Sequence, residues 1–563
     1  MNEVKNSSRK NKDYRLDSNQ KVIRFEEALK KVGSQRKAEK MTGIPRTTYQ
    51  HLSQRQQRCN LNNATKGFFH TPEGLEFLHR MTLAAEFVIT QVCGSGIGAI
   101  QTFYELLQLD SLTASSTGAL HKRLSIMERN LINYGDQQFD KLGRSMPPKA
   151  VTCALDETFP SGICLVGMEV ESNFILLERF ASKRDCETWH EAMKDPLSGL
   201  PLTVIQVVSD EAKALLKYTR DILQAHHSPD VFHVQQDIIK ATTPKLKAGV
   251  KSAREALQQA NTRLQAVVDI ENAHRLNGET LSPEKCLQHN QTLDKTADEQ
   301  AQAIAHLVEA STRREEVSQA NRGIGQDYHP IDLATGKKRT PEQLAEQLST
   351  HFVTVNGHAE AAGVSDNSIK RLQKAQRVVD AMVLTLEFFW CWVGRHVDAL
   401  NLPDDLAPLF ENHLLPMAYI EVHLPKASNA EQRQQRRDLH RQLGIELSDT
   451  QAWQSMTDER KKALQGEARK CALVFQRSSS CVEGRNGQLS LKHHASRKMS
   501  ARKLAASTVI HNYFITRRDG TTAAERLFEQ PPDDLFEWLL AHTDYPALPA
   551  KKRTNAGELR AVA

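Results

Sequence analysis

From Ile238 to Phe475 the chain carries almost no strand-forming run, and this long helical stretch constrains the fold more than any other feature. Segments such as "KLKAGVKSAREALQQANTRLQAVVDIENAHRL" and "TADEQAQAIAHLVEASTRREEVSQA" place apolar residues at helical spacing amid dense charge, as long solvated helices do. Within it, "DYHPIDLATGKKRTPEQL" reads as a loop punctuated by Pro330, Gly336 and Pro341. The most apolar run, "AMVLTLEFFWCWVG" from Ala381, is shorter than the roughly 20 residues of a membrane span. It reads as a buried helix, with Trp390 and Trp392 in a core rather than as platforms for bases.

Upstream of that stretch the period changes. Segments 150–155, 162–170 ("GICLVGMEV"), 173–180 ("NFILLERF"), 203–209 ("TVIQVVS") and 230–235 ("DVFHVQ") have strand length and β-branched or aromatic content. Helices are expected over 185–194 and 211–224. Three closely connected strands, then helix, strand, helix, strand, is the order of an RNase H-like fold, although other α/β domains can be cut to match it. The expected fold is an α/β core with a mixed five-stranded sheet, interrupted by a large all-helical insertion and mostly helical overall.

The stretch "VTCALDETF" ends a buried-looking strand with Asp156 and Glu157. An acid at such a place is costly unless solvated, paired or bound to a cation, although a turn or cap role also fits. The fourth strand likewise ends in an acid, Asp210, followed by Glu211. In an RNase H-like sheet the first and fourth strands are neighbours, so Asp156 and Asp210 are expected together. Like charges at short range repel unless a cation lies between them, and magnesium is a hard ion suited to carboxylates, water and phosphate. A third acid is expected after the helical stretch, where Glu483 leads a polar and basic segment; an exposed acid at a helix start fits it too. Glu157 and Glu211 are expected to point off the metal face by strand alternation, and Glu525 to close a capping box with Thr522. Asp237 reads equally as a helix cap or a supporting acid. His233, His493 and His494 read equally as DNA contacts, core or surface.

Charge is unevenly spread. The net charge is +6, yet residues 1–60 hold 15 Lys/Arg against 6 Asp/Glu, and 483–518 hold 8 Lys/Arg against 1 acid. Clustered basic charge favours a polyanion by counterion release, and a solvated surface is the plain alternative. Residues 23–55 read as helix, short helix, turn and helix, with Gly43 in the turn and Pro45 opening the last helix. Arg36, Lys37, Arg46, Thr47, Thr48, Tyr49 and Gln50 would meet DNA if this is a helix-turn-helix unit. The small residue usual four places before the turn glycine is Glu39 here, with Ala38 one earlier, so a plain helical hairpin also fits. A second, similar unit is expected over 94–128, with Thr113 or Ser115 as a cap. Nine cysteines without a C-x-x-C pair argue for reduced thiols, and the polar N-terminus lacks the apolar core of a signal peptide. A cytoplasmic protein is expected, with "LPAKKRTNAGELRAVA" as a loose tail.

Taken together, "CALDET", "VVSDEAKAL", "DVFHV", "VEGRNGQLS" and the closing "HNYFITRRDGTTAAERLF" resemble a DDE-type bacterial insertion-sequence transposase. The resemblance spans roughly 150–240 and 475–530, with the N-terminal region. It implies that Asp156, Asp210 and Glu483 bind two Mg²⁺ ions, with Mn²⁺ as a substitute, for cleavage at transposon ends and strand transfer into target DNA. It further implies a homodimer or larger homo-oligomer on double-stranded DNA, associated with the nucleoid, with Arg485, Asn486, Lys492 and Arg497 lining the DNA-facing surface. One branch of the family places a Tyr, an Arg and a Lys around the third acid; here Ser479 and Ser490 stand in the Arg and Lys places, which leaves the branch open. The expected domains are 1–60 and 61–147 for DNA binding, 148–240 with 475–520 for catalysis, 241–474 as the insertion, and 521–563 as a C-terminal helix and tail. A nuclease without strand transfer and a non-catalytic DNA-binding relative are the competing readings.

Overall fold

The computed structural model describes residues 20–57, 63–277, 282–496 and 499–549. The chain is mostly helical around one mixed sheet of five strands: β1 (Lys149–Thr158), β2 (Cys164–Glu169), β3 (Ile175–Phe180), β4 (Leu202–Ser209) and β5 (His226–Pro229), in the order β3-β2-β1-β4-β5. β2 and β3 pair antiparallel, and β4 and β5 pair parallel. The interior strand β2 is buried along its whole length, which is why it reads as a near-continuous apolar run, broken only by Glu169 at its end, rather than an alternation. Two compact units emerge: Met1–Ala150 with Leu155–Thr203 and Cys481–Ala563, and Val151–Ala154 with Val204–Ser480.

One strand lies elsewhere than the sequence pattern suggests. "DVFHVQ" is not β5 but the start of a helix, Val231–Leu276, and β5 is the preceding "HHSP". Asp230 caps that helix, its carboxylate accepting from Phe232 N at 2.8 Å, and Val231, Val234 and Ile238 are buried at helical spacing. The short apolar run fits both periods, and the cap decides between them. Asp237 therefore sits inside a helix rather than at a strand end, 3.7 Å from Arg371 and 3.6 Å from Lys374.

In the first unit, the helices 20–32, Gln35–Thr42 and Arg46–Gln57 enclose a small core of Val22, Phe25, Ala28, Ala38, Ile44 and Tyr49. Gly43 ends the second helix at φ +69°, a left-handed turn that suits glycine. Ala38 is fully buried and Glu39 only half so, which places the small residue one position earlier in the turn. The second helical segment differs from its expected form: Ser116, not Thr113 or Ser115, caps Thr117–Gly143. That helix packs closely on Ala501–Tyr513, for a Cβ at Gly135 would come within 2.5 Å of Val509 Cγ2. Thr522 and Glu525 form both halves of a capping box.

The second unit is built on two long helices, Val231–Leu276 and Pro283–Asp327, followed by further helices around a core that includes Phe352, Leu386, Phe389, Phe410 and Tyr419. A buried polar ladder crosses the strands, from Thr152 Oγ1 to Gln206 Oε1 at 3.0 Å and from Gln206 Nε2 to Ser228 Oγ at 2.5 Å. Polar groups so placed are satisfied in only one register. The Pro330–Pro341 loop holds a bridge between Ile331 and Lys338, a left-handed Gly336 and a Thr340 capping box. Trp390 and Trp392 pack on the core from its edge. Among the described residues no helix is long and apolar enough to cross a membrane, and the cysteines are free thiols. The C-terminal tail from residue 550 lies outside the described residues.

Candidate functional site

Asp156 stands near the end of β1, half-buried, in the first unit. One carboxylate oxygen accepts from Glu157 N at 2.8 Å and the other from Asn486 Nδ2 at 2.8 Å. Asn486 and Glu483 lie one turn apart on the helix Ser480–Ser496, and a carboxylate oxygen of Glu483 comes within 4.8 Å of one of Asp156. Two like charges so close favour a cation between them.

The helix is aimed by its buried side. Val482, Arg485 and Leu489 are buried at spacings of three and four, leaving Glu483 and Asn486 on an adjoining face. Arg485 forks onto Glu178 of β3, Nε to Oε1 at 2.7 Å and Nη2 to Oε2 at 2.6 Å, and also donates to Ser507 Oγ at 3.1 Å. Thr508 Oγ1 donates to the same carboxylate at 2.6 Å. Arg485 is thus an interior residue that fixes the helix against the sheet, not one that lines a DNA-facing surface. Glu157 turns away from Asp156, as alternation requires, to accept from Arg184 at 3.0 Å. Lys492 donates to Ser507 Oγ at 2.9 Å, and burial, helped by the nearby Arg485 charge, lowers its pKa to about 8. His493 meets Ser161 Oγ at 3.0 Å, and Arg497 lies outside the described residues.

In the second unit, Asp210 follows β4 and accepts from Ala212 N at 3.2 Å. It lines a small cavity of about 100 Å³ with Glu211, Asp230, His233, Asp237 and Lys374. Asp230 is the most enclosed of these acids: Ser479 donates to it through its backbone N at 3.1 Å and through its hydroxyl, and His233 Nε2 lies 3.9 Å away. Burial raises the Glu211 pKa, opposed by Lys374 and Arg220 and reinforced by Asp210. Glu211 lines this cavity beside Asp210. Ser479 serves as a neutral partner to a buried acid.

At the N-terminus Arg36, Lys37, Thr47, Thr48 and Gln50 are exposed and Arg46 is half-buried. Tyr49 is not available to a ligand. It is buried and stacked on Phe25, with centroids 4.2 Å apart and planes 12° from parallel. Gln50 donates to Gln35 at 2.8 Å, tying the second and third helices together at the surface.

Sequence reasoning passed over Asp230. Its signal was present, an Asp directly before apolar residues at helical spacing, but it was hidden while "DVFHVQ" read as a strand. Asn486, expected to touch DNA, instead orients Asp156. Residues 410–555 match the model of a family of unknown function (DUF6399), a span that includes Glu483 and Asn486 but neither Asp156 nor Asp210. No curated protein and no solved structure matches the chain.

Proposed function

We propose that this chain is a DDE-type transposase that cleaves transposon ends and joins them to target DNA, with an RNase H-like core and a helix-turn-helix region near its N-terminus. The observation that carries the reading is the pairing of Asp156 with Glu483, a strand-end acid and a helix acid far apart in sequence, within 4.8 Å. Carboxylates are the donors Mg²⁺ or Mn²⁺ prefers, and a small movement of either side chain would bring one oxygen from each to a shared ion. Glu157 N and the Asn486 amide hold both oxygens of Asp156 in fixed directions. The Arg485–Glu178 pair holds the helix that carries Glu483. Asp210, which follows β4, is the third acid of the DDE pattern proposed for this chain. Bound metal would supply Lewis acidity at a phosphodiester. The exposed Arg36, Lys37, Thr47 and Thr48 and the half-buried Arg46 would hold duplex DNA, in a homodimer or larger assembly.

The test is a Mg²⁺-dependent cleavage and strand-transfer assay on DNA that flanks the gene. Native protein is expected to give joined products, and Asp156→Asn and Glu483→Gln to lower their rate about a thousandfold or more, about 4 kcal/mol of barrier. Cut but unjoined DNA would support the nuclease reading. Equal, tight DNA binding without any cut in all three proteins would sink both and leave a binding module.

A further inference from the structure

The first unit contains a second feature that the carboxylate pair does not use. A cavity of about 580 Å³ lies between the turn that holds Gly94 and Gly96, the helix Thr117–Gly143, and residues 492–507. Lys492, Arg502 and Lys503 line it, against one acid, Glu128. That acid is already taken by Arg502, whose Nε donates to it at 2.6 Å. The lining is therefore net positive. Arg502 and Lys503 lie one helical turn or less past Met499, and Lys492 comes from the neighbouring helix, so the cations approach from more than one direction.

The glycine-rich wall adds to this charge. In "CGSGIGA", Gly94 takes φ +70°, which turns the chain sharply, and Gly96 precedes the helix Ile97–Leu106 without any side-chain cap. A Cβ at Gly96 would meet nothing within 4 Å. A helix start without a side-chain cap has backbone N–H groups to offer an anion, and the missing side chain lets a ligand approach them.

We propose that this cavity binds the phosphate of a nucleotide, with the remaining volume taken by the nucleoside. With Arg502 held by Glu128, the charges of Lys492 and Lys503 are left to suit phosphate oxygens, and the volume lies in the range of small-molecule sites, well above what a lone anion needs. The depressed pKa of Lys492 accords with a cation held in a partly dry site that a bound anion would restore. The phosphate could belong to a free nucleotide or to the end of a strand, and the experiment separates these.

Binding would be measured by calorimetry and competition in chelator-containing buffer, so that neither Asp156 nor Glu483 chemistry enters. The probes are inorganic phosphate, a mononucleotide, and a short 5′-phosphorylated DNA strand. The variants are Lys492→Met and Gly96→Asp, each checked by its melting temperature. Asp is a favoured helix cap, so Gly96→Asp is expected to melt no lower than native protein while setting a carboxylate where the phosphate would sit. The mononucleotide or the strand is expected to bind native protein and to bind each variant about tenfold more weakly or worse. Mononucleotide binding identifies the free ligand, and binding of the strand alone identifies a strand end. No binding of any probe to native protein, or equal binding to native protein and Gly96→Asp, would overturn the proposal and leave the metal reading untouched.

Discussion

Arg485 shows how a residue's chemistry and its place can point in different directions. Two positions after an acid and inside a basic segment, it has the local look of a phosphate contact, but its partner Glu178 lies 307 residues earlier in the chain. No local pattern records that separation. The same holds for Tyr49, a good hydrogen-bonding residue on a basic helix that spends its ring on Phe25 instead. Removing one member of a buried ion pair strands the other's charge. Arg485→Met is therefore expected to lower stability by about 3–5 kcal/mol in a urea titration. Adding Glu178→Gln should recover a large part of that, because the double variant leaves no uncompensated charge; equal losses in the single and double variants would show that packing, not charge, is at stake.

At the level of elements, what was legible was whatever depends on neighbours in sequence. The Thr522–Glu525 box, the loop between Pro330 and Pro341 and the helical nature of the long central stretch all follow from residues a few places apart. The place of β5 is not legible because a six-residue segment such as "DVFHVQ" is too short a window to separate period 2 from period 3.6, and the deciding group is the Asp230 cap. Gly135 is a further case of an element set by a distant partner. Gly135→Ala would press a methyl group against Val509, so its cost is expected to be about 1–3 kcal/mol in thermal melts. Val509→Ala in the same chain should restore part of that; no recovery would mean that the glycine serves the backbone rather than the helix contact.

For the molecule as a whole, buried histidines predict a sensitivity to acid. Burial lowers His226, His227 and His511 to about 4 and His423 to about 3, with added contributions from nearby cations. Their native pKa values lie below the ordinary 6.5, so between those limits the unfolded chain holds more protons than the folded one. Stability is therefore full above about pH 6.5 and falls as pH drops toward 4, by up to about 1.4 kcal/mol per histidine per pH unit. Urea midpoints across that range would measure it, and a flat profile would refute it. The mixed sheet and the helical content could be read ahead of the structure. The pairing of Asp156 with Asn486, and the enclosure of Asp230 by Ser479, could not, because each depends on a contact across hundreds of residues.

The interleaving of the two units also sets an order of events during synthesis. Asp156 leaves the ribosome early, yet Glu483 follows only after all of Val204–Ser480 has been made. A nascent or prematurely terminated chain that stops before Glu483 holds no Asp156–Glu483 pair, however well its earlier segments fold. Under the proposed reading, the capacity to cut DNA would be withheld until translation is nearly finished.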